Sequence, residues 1–252
     1  MKGSSTERRW RCTCAYDGSG FAGWQSQSTR DAVQDVIEAR LGEICQRPIR
    51  IHGSGRPDAG VHARRQVFHF DAAWLHAASR AQTPLRSGSP ASLQLQPMAL
   101  AKPDFHARYS ARGKRYSYRV YEGVADPFQQ AFVLSRERPR RLDRDRMRAA
   151  AKILMGRHDF RPFAADNGAE LEDPVRELTR LEISGSGRSL KLVFEANGFL
   201  YKMVRSLTGA LLAVGEGRLE VAAIRSILAS GQRTEAVETA PPQGLFLERV
   251  FY

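Results

Sequence analysis

Apolar and polar positions alternate along the chain in two rhythms, one of period two and one of period 3.6. The period-two rhythm predicts strands at residues 10–16, 66–70 and 116–121, with a shorter one at 49–51. Residues 178–183 and 190–196 flank Gly185-Ser186-Gly187 and predict a hairpin. Helical spacing governs residues 31–45, where Val33, Val36, Ile37, Leu41 and Ile44 share a face and Ser28 and Asp31 fit a capping box. A second helix is expected at 143–155 with Met147, Ile153 and Leu154 inward. The clearest is 199–214, where Phe199, Met203, Leu207 and Leu211 recur every four residues and Gly215 stands at the C-cap. A short helix at 221–229 precedes a last strand at 245–251. Residues 77–97 have no period and predict a long connection. Strand, helix, strand occurs twice without a residue-level repeat, which gives an α+β class with two sheets or one joined sheet.

Composition narrows the partners. Hydrophobic residues at 42% and charged ones at 26% of 252 provide for a proper core. The formal charge of +12 favours a polyanion held through phosphate contacts, although a basic surface also serves solubility alone. The three cysteines, Cys12, Cys14 and Cys45, form neither a disulfide framework nor a zinc set. Residues 1–9 lack an apolar signal core, and the apolar run 210–214 is far too short for a bilayer, so the default expectation is a cytoplasmic protein.

Four segments carry candidate chemistry. Gly18-Ser19-Gly20-Phe21-Ala22-Gly23 has dinucleotide-fingerprint spacing, but no helix opens at its third glycine, so a tight loop is expected. Gly53-Ser54-Gly55-Arg56-Pro57-Asp58-Ala59-Gly60 lies between two extended segments. Pro57 stiffens it, and Arg56 stands where it favours the ionised form of Asp58, as a nucleophile or base requires. An Asp that merely caps a turn, with Gly60 supplying positive φ, fits the same residues. His62 and His69 have no partners at metal-ligand spacing and are expected to be packing residues, with no metal. From Phe105 to Tyr121 aromatic and basic residues interleave, including Arg108, Arg115, Tyr116 and Tyr118. This suits a face that stacks bases beside cations that hold phosphate, and equally a strand with core tyrosines and solvated arginines. Tyr201, Lys202 and Arg205 make a basic edge on the expected 199–214 helix.

Together these blocks resemble the tRNA pseudouridine synthase A family over most of the chain. Tyr16-Asp17-Gly18 with Gly23-Trp24-Gln25 looks like the family's opening strand and loop, and Gly55-Arg56-Pro57-Asp58-Ala59-Gly60-Val61-His62-Ala63 resembles its catalytic signature. Phe105-His106-Ala107-Arg108, Arg115-Tyr116-Ser117-Tyr118, Asn197-Gly198-Phe199-Leu200-Tyr201-Lys202-Met203-Val204-Arg205 and Gly244-Leu245-Phe246-Leu247 are similar to the later blocks. One departure is Pro57, where the family usually has threonine, which removes a hydroxyl and a backbone donor beside Asp58.

The resemblance implies the pseudouridine synthase fold, two RRM-like α/β halves joined through a mixed, mainly antiparallel sheet with a cleft between them. The halves are expected at residues 1–105 and 106–252. It implies conversion of uridine to pseudouridine at positions 38 to 40 of the tRNA anticodon stem-loop, with no cofactor, by a homodimer. Asp58 is then the catalytic aspartate, with Arg56, Tyr116 and Arg205 beside it and Arg108, Lys202 and Leu245 on the substrate. The competing expectation is an RNA-binding or chaperone protein without catalysis. A metal-dependent nuclease is disfavoured, since the next acid after Asp58 is Asp71.

Overall fold

A computed structural model describes residues 7–73, 88–137, 141–168 and 170–252. The chain divides into two compact units, Met1–Ala111 with Leu247–Tyr252, and Arg112–Phe246.

The first unit is organised on β1 (Arg8–Tyr16). α1 (Val33–Cys45) and β2 (His52–Gly53) follow, then β3 (His62–Ala72), β4 (Leu93–Leu95) and β5 (Ala99–Leu100). β3 runs antiparallel to β1, from Arg8 opposite Ala72 to Tyr16 opposite Ala63, with a register shift between Cys14 and Tyr16. β4 and β5 pair antiparallel with β1, and β2 pairs with β3 so that His52 faces His69. Alternation on β1 buries Trp10, Cys12, Cys14 and Tyr16, while α1 buries Val33, Ile37 and Leu41. Trp24 lies between Tyr16 and Phe68, with ring centroids 6.1 and 6.2 Å away.

The sequence misplaces three features here. The cap of α1 is not Ser28 with Asp31: Ala32 occupies the N-cap and the Asp35 carboxylate accepts its N–H at 3.1 Å. Residues 49–51 bury Ile49 and Ile51 without being a strand, because α1 side chains take the Ile51 backbone groups. The Ile51 N–H donates to Glu38 Oε1 at 2.9 Å, and its carbonyl accepts from Gln34 Nε2 at 3.4 Å. β3 begins four residues before the expected start, its entry hidden by the exposed pair Arg64 and Arg65. The connection expected at 77–97 lies outside the described residues over 77–87, and its far end forms β4.

The second unit contains β6 (Gly113–Tyr121), β7 (Leu134–Ser135), α2 (Arg144–Leu154), β8 (Gly156–Asp159), β9 (Val175–Ser184), β10 (Ser189–Ala196), α3 (Met203–Gly215) and α4 (Val221–Ser230). The last strand, β11 (Leu245–Phe251), starts in it. β6, β10, β9 and β8 pair antiparallel in that order, and β7 adds one parallel pairing to β6. The class is therefore α+β with mainly antiparallel pairing. α2 is capped by the Asp143 carboxylate, which accepts from the N–H groups of Asp145 and Arg146 at 3.1 and 2.9 Å. It packs on α3, α4 and β9.

α3 is the most deeply buried helix among the described residues; only Arg205 reaches beyond the interior. It starts at Met203, not at residue 199. Lys202 has φ 55°, a left-handed conformation that breaks the helical path, so Phe199 lies outside the helix. No helix among the described residues is long and apolar enough to cross a membrane.

Candidate active site

The loop at residues 53–63 is held by a set of contacts within the first unit. Ser54 ties its start to β3: its N–H donates to the Val67 carbonyl at 2.8 Å and its hydroxyl to Gln66 Oε1 at 2.7 Å. Gln66, fully buried, returns Nε2 to the Gly55 carbonyl at 2.9 Å. Beyond that anchor Arg56 is exposed, Pro57 buried and Asp58 half-buried. The Val61 N–H closes a turn on the Asp58 carbonyl at 3.1 Å, with Gly60 at φ 75°. Asp58 thus sits in a turn, as its residue type allows, but the turn is closed through its backbone carbonyl.

The Gly-rich run is the buttress of this loop. Asp17 caps a single turn at Gly18–Gly20, so the expectation of a tight loop holds. The Trp24 N–H donates to the Pro57 carbonyl at 3.0 Å. Gly23 has φ 92°, and a Cβ there would stand 2.9 Å from the Pro57 oxygen and 3.0 Å from the Ala59 nitrogen. Gly18 approaches even closer: a methyl group on it would overlap the Val61 carbonyl. Its N–H donates to Nδ1 of the buried His62 at 3.0 Å. The replacement of threonine by Pro57 therefore leaves one fixed acceptor, the Pro57 carbonyl, intact. Nothing in the sequence pairs residues 18–24 with 57–61, and this is the functional feature that the pattern of residues missed.

Both histidines expected to pack do so. His69 is 2% exposed, stacks on His52 with ring centroids 5.0 Å apart and meets His106 edge-on at 4.6 Å. Burial first, then His106, Arg9 and His52, push its ionisation down to about 4. The unfolded chain takes up this proton near pH 6.5, which the folded protein refuses until about pH 4. Stability contributed by neutral His69 is therefore complete above that window and lost as pH falls through it. We expect denaturant unfolding to show about 2 kcal/mol less stability at pH 5 than at pH 8 from this ring. His69→Gln should lack that part, and an equal loss in both proteins would remove His69 as its source.

Arg108, also in the first unit, is exposed, and its N–H donates to His106 Nδ1 at 3.1 Å. The remaining sequence candidates lie in the second unit. Tyr116 is half-buried on β6, opposite Phe194 of β10, and its ring meets Phe199 edge-on at 5.1 Å. Tyr118, two residues on, is the core member of the tyrosine pair: it is fully buried and donates its hydroxyl to the Pro241 carbonyl at 2.7 Å. Burial pushes its phenol ionisation up, opposed by Arg205. Arg205 is half-buried near the start of α3. Its Nε donates to the Ala240 carbonyl at 2.7 Å and its carbonyl accepts the Ala240 N–H at 3.1 Å. Arg205 and Tyr118 thus both fasten residues 240–241, just ahead of the turn at Pro242–Gly244 and the buried Leu245. The basic edge expected on α3 does not form as such, because Tyr201 and Lys202 precede the helix. Lys202 instead holds its Nζ 4.8 Å from the Tyr201 ring centroid.

The family model described as tRNA pseudouridine synthase matches residues 13–110 and 150–252, most of the chain and all of the Asp58 loop. The chain belongs to that family. The tRNA pseudouridine synthase A 1 of Protochlamydia amoebophila is 38% identical over 247 residues, 96% of either chain. Its counterpart from Lacticaseibacillus casei is also 38% identical, over 96% of this chain and 99% of its own. That of a Methylobacterium species is 39% identical over 97% of each. Of the family's residues proposed from sequence, Asp58, Arg56, Arg108, Lys202, Arg205 and Leu245 fall inside the matched stretches, and Tyr116 between them.

Proposed function

We propose that this protein isomerises uridine to pseudouridine in tRNA, at positions 38 to 40 of the anticodon stem-loop, with Asp58 as its essential side chain. The observation that carries the reading is the Asp58 loop. It lies within the matched family region, and it holds a half-exposed carboxylate on a backbone braced by Trp24, Ser54, Val61 and Gln66. Such bracing is what a group that must meet one atom in one geometry needs.

In the reaction the uracil N1–C1′ bond breaks, the base turns, and C5 bonds to C1′. C5 gives up its hydrogen and N1 ends with one, so the product is an isomer of the substrate. Asp58 attacks C1′ or C6, or takes the ribose 2′ hydrogen. Arg56 and Arg205 serve the Asp58 chemistry as the family's partner residues, and Tyr116 stacks the extruded uracil and assists proton transfer at C5. Arg108, Lys202 and Leu245 contact the substrate. Extruding a base costs a few kcal/mol, which cations gripping the flanking phosphates offset, consistent with the +12 charge. The reading includes a homodimer acting in the cytoplasm.

The test is release of tritium from tRNA carrying C5-labelled uridine. Wild-type protein should release it catalytically. Tyr116→Phe should slow release by about 10- to 100-fold with little change in tRNA affinity, since stacking survives without the hydroxyl. An unchanged rate would assign Tyr116 to stacking alone. Tight tRNA binding with no release by the wild type would favour the RNA-binding protein instead.

A further inference from the structure

The turn at residues 105–110 in the first unit is fixed from below and open above. Ala107 supplies two anchors: its N–H donates to His69 Nδ1 at 3.1 Å and its carbonyl accepts the Tyr252 hydroxyl at 2.8 Å. His106 holds the top, its Nδ1 accepting the N–H groups of Arg108 and Tyr109 at 3.1 and 3.3 Å. The Ser110 N–H returns to the His106 carbonyl at 2.8 Å. The backbone of a turn tied at so many points loses little further freedom on binding.

That turn presents an aromatic ring to solvent. Tyr109 is 77% exposed, lies 4.3 Å from the His106 ring and has the Arg108 guanidinium 5.7 Å from its centroid. His106 in turn meets His52 at 5.7 Å and the buried His69 at 4.6 Å. Tyr109 is thus the outer end of a series of rings rooted in the core. His52 lies six residues before Asp58 in the chain. Six residues span at most about 20 Å. His52, which the series of rings touches, therefore lies within about 20 Å of Asp58 in the same unit.

A preorganised exposed ring with a cation beside it has the chemistry that takes a nucleobase π-face and its phosphate. We infer that Tyr109 is a stacking platform for a tRNA nucleotide outside the reaction centre, with Arg108 neutralising the adjacent phosphate. This rests on the reading of the protein as a tRNA-modifying enzyme. Tyr109 contributes affinity and register, and Asp58 the chemistry.

The experiment measures the Kd for an unmodified tRNA transcript across salt concentrations, and the single-turnover rate at saturating tRNA, in folded variants matched by circular dichroism. Tyr109→Ala should weaken binding about 5- to 100-fold and leave the saturated rate within about threefold. Tyr109→Phe should bind within twofold of wild type. Arg108→Ala should lower the slope of log Kd against log salt by about 0.9, while Tyr109→Ala leaves it unchanged. Affinity of Tyr109→Ala within twofold of wild type overturns the platform, and so does an equal loss in Tyr109→Phe. A wild type that binds tRNA without forming pseudouridine overturns the enzymatic reading and leaves the platform to be judged by the Tyr109 affinities.

Discussion

Asp58→Asn should fold, bind tRNA with nearly wild-type affinity, and release tritium from C5-labelled uridine at least about 10⁴-fold more slowly. That factor corresponds to roughly 5.5 kcal/mol of barrier. The amide matches the carboxylate in shape but can neither form a bond to carbon under these conditions nor accept a proton as a base. The loop is held by groups the substitution leaves in place: the Trp24 N–H on the Pro57 carbonyl, the Val61 N–H on the Asp58 carbonyl, and the Ser54 and Gln66 side chains. Its effect on stability should accordingly stay within about 1 kcal/mol. A loss of tRNA affinity parallel to the loss of rate would mean that Asp58 serves binding. A rate near wild type would remove it from the chemistry.

Gly18→Ala should cost the second-largest part of the activity although the residue touches no substrate in the proposed reaction. A methyl group at Gly18 overlaps the Val61 carbonyl, and Val61 closes the turn on Asp58. The neighbour is backbone, so the loop itself must move. A displacement of about 1 Å at a reacting group costs on the order of 10²-fold in rate. The strain should also lower stability by about 2 kcal/mol, or roughly 4–8 °C in Tm for a chain of this size. Gly20→Ala is the control, since a methyl group on Gly20 meets nothing within 4 Å. It sits in the same short turn and should behave as wild type. If both variants keep full turnover, the buttress does not position Asp58.

How much of this was legible in sequence depended on whether a residue's environment is set by its neighbours in the chain. The β9–β10 hairpin, α2, α4 and β11 were readable because their periodicity and turn residues decide them locally. β11 matches its expected bounds, and Asp143 caps α2 where the pattern begins. The start of α3 was not readable: apolar spacing runs on back to Phe199, while the break is set by the backbone of Lys202, a residue type with no preference for positive φ. Residues 49–51 looked like a strand because Ile49 and Ile51 are buried, yet their backbone was claimed by Glu38 and Gln34, a non-local event. β4 and β5 are too short to show a period.

The site follows the same division. Arg56 and Asp58 stood out only as part of a family block, since the residues by themselves fitted a capped turn equally well. The interleaved aromatics did double duty, Tyr118 serving the core and Tyr109 the surface, and periodicity could not sort them. The bracing by Gly18, Gly23 and Trp24 joins residues 33 to 43 positions apart in the chain, from Trp24 with Pro57 to Gly18 with Val61, and only folding reveals it.

The most direct test of the central claim is site-resolved mapping of pseudouridine in an unmodified tRNA transcript after incubation with the purified wild-type and Asp58→Asn proteins. Conversion confined to uridines 38 to 40, present with the wild type and absent with Asp58→Asn, is the predicted result. Conversion by both proteins, conversion elsewhere in the tRNA, or none by the wild type would contradict it.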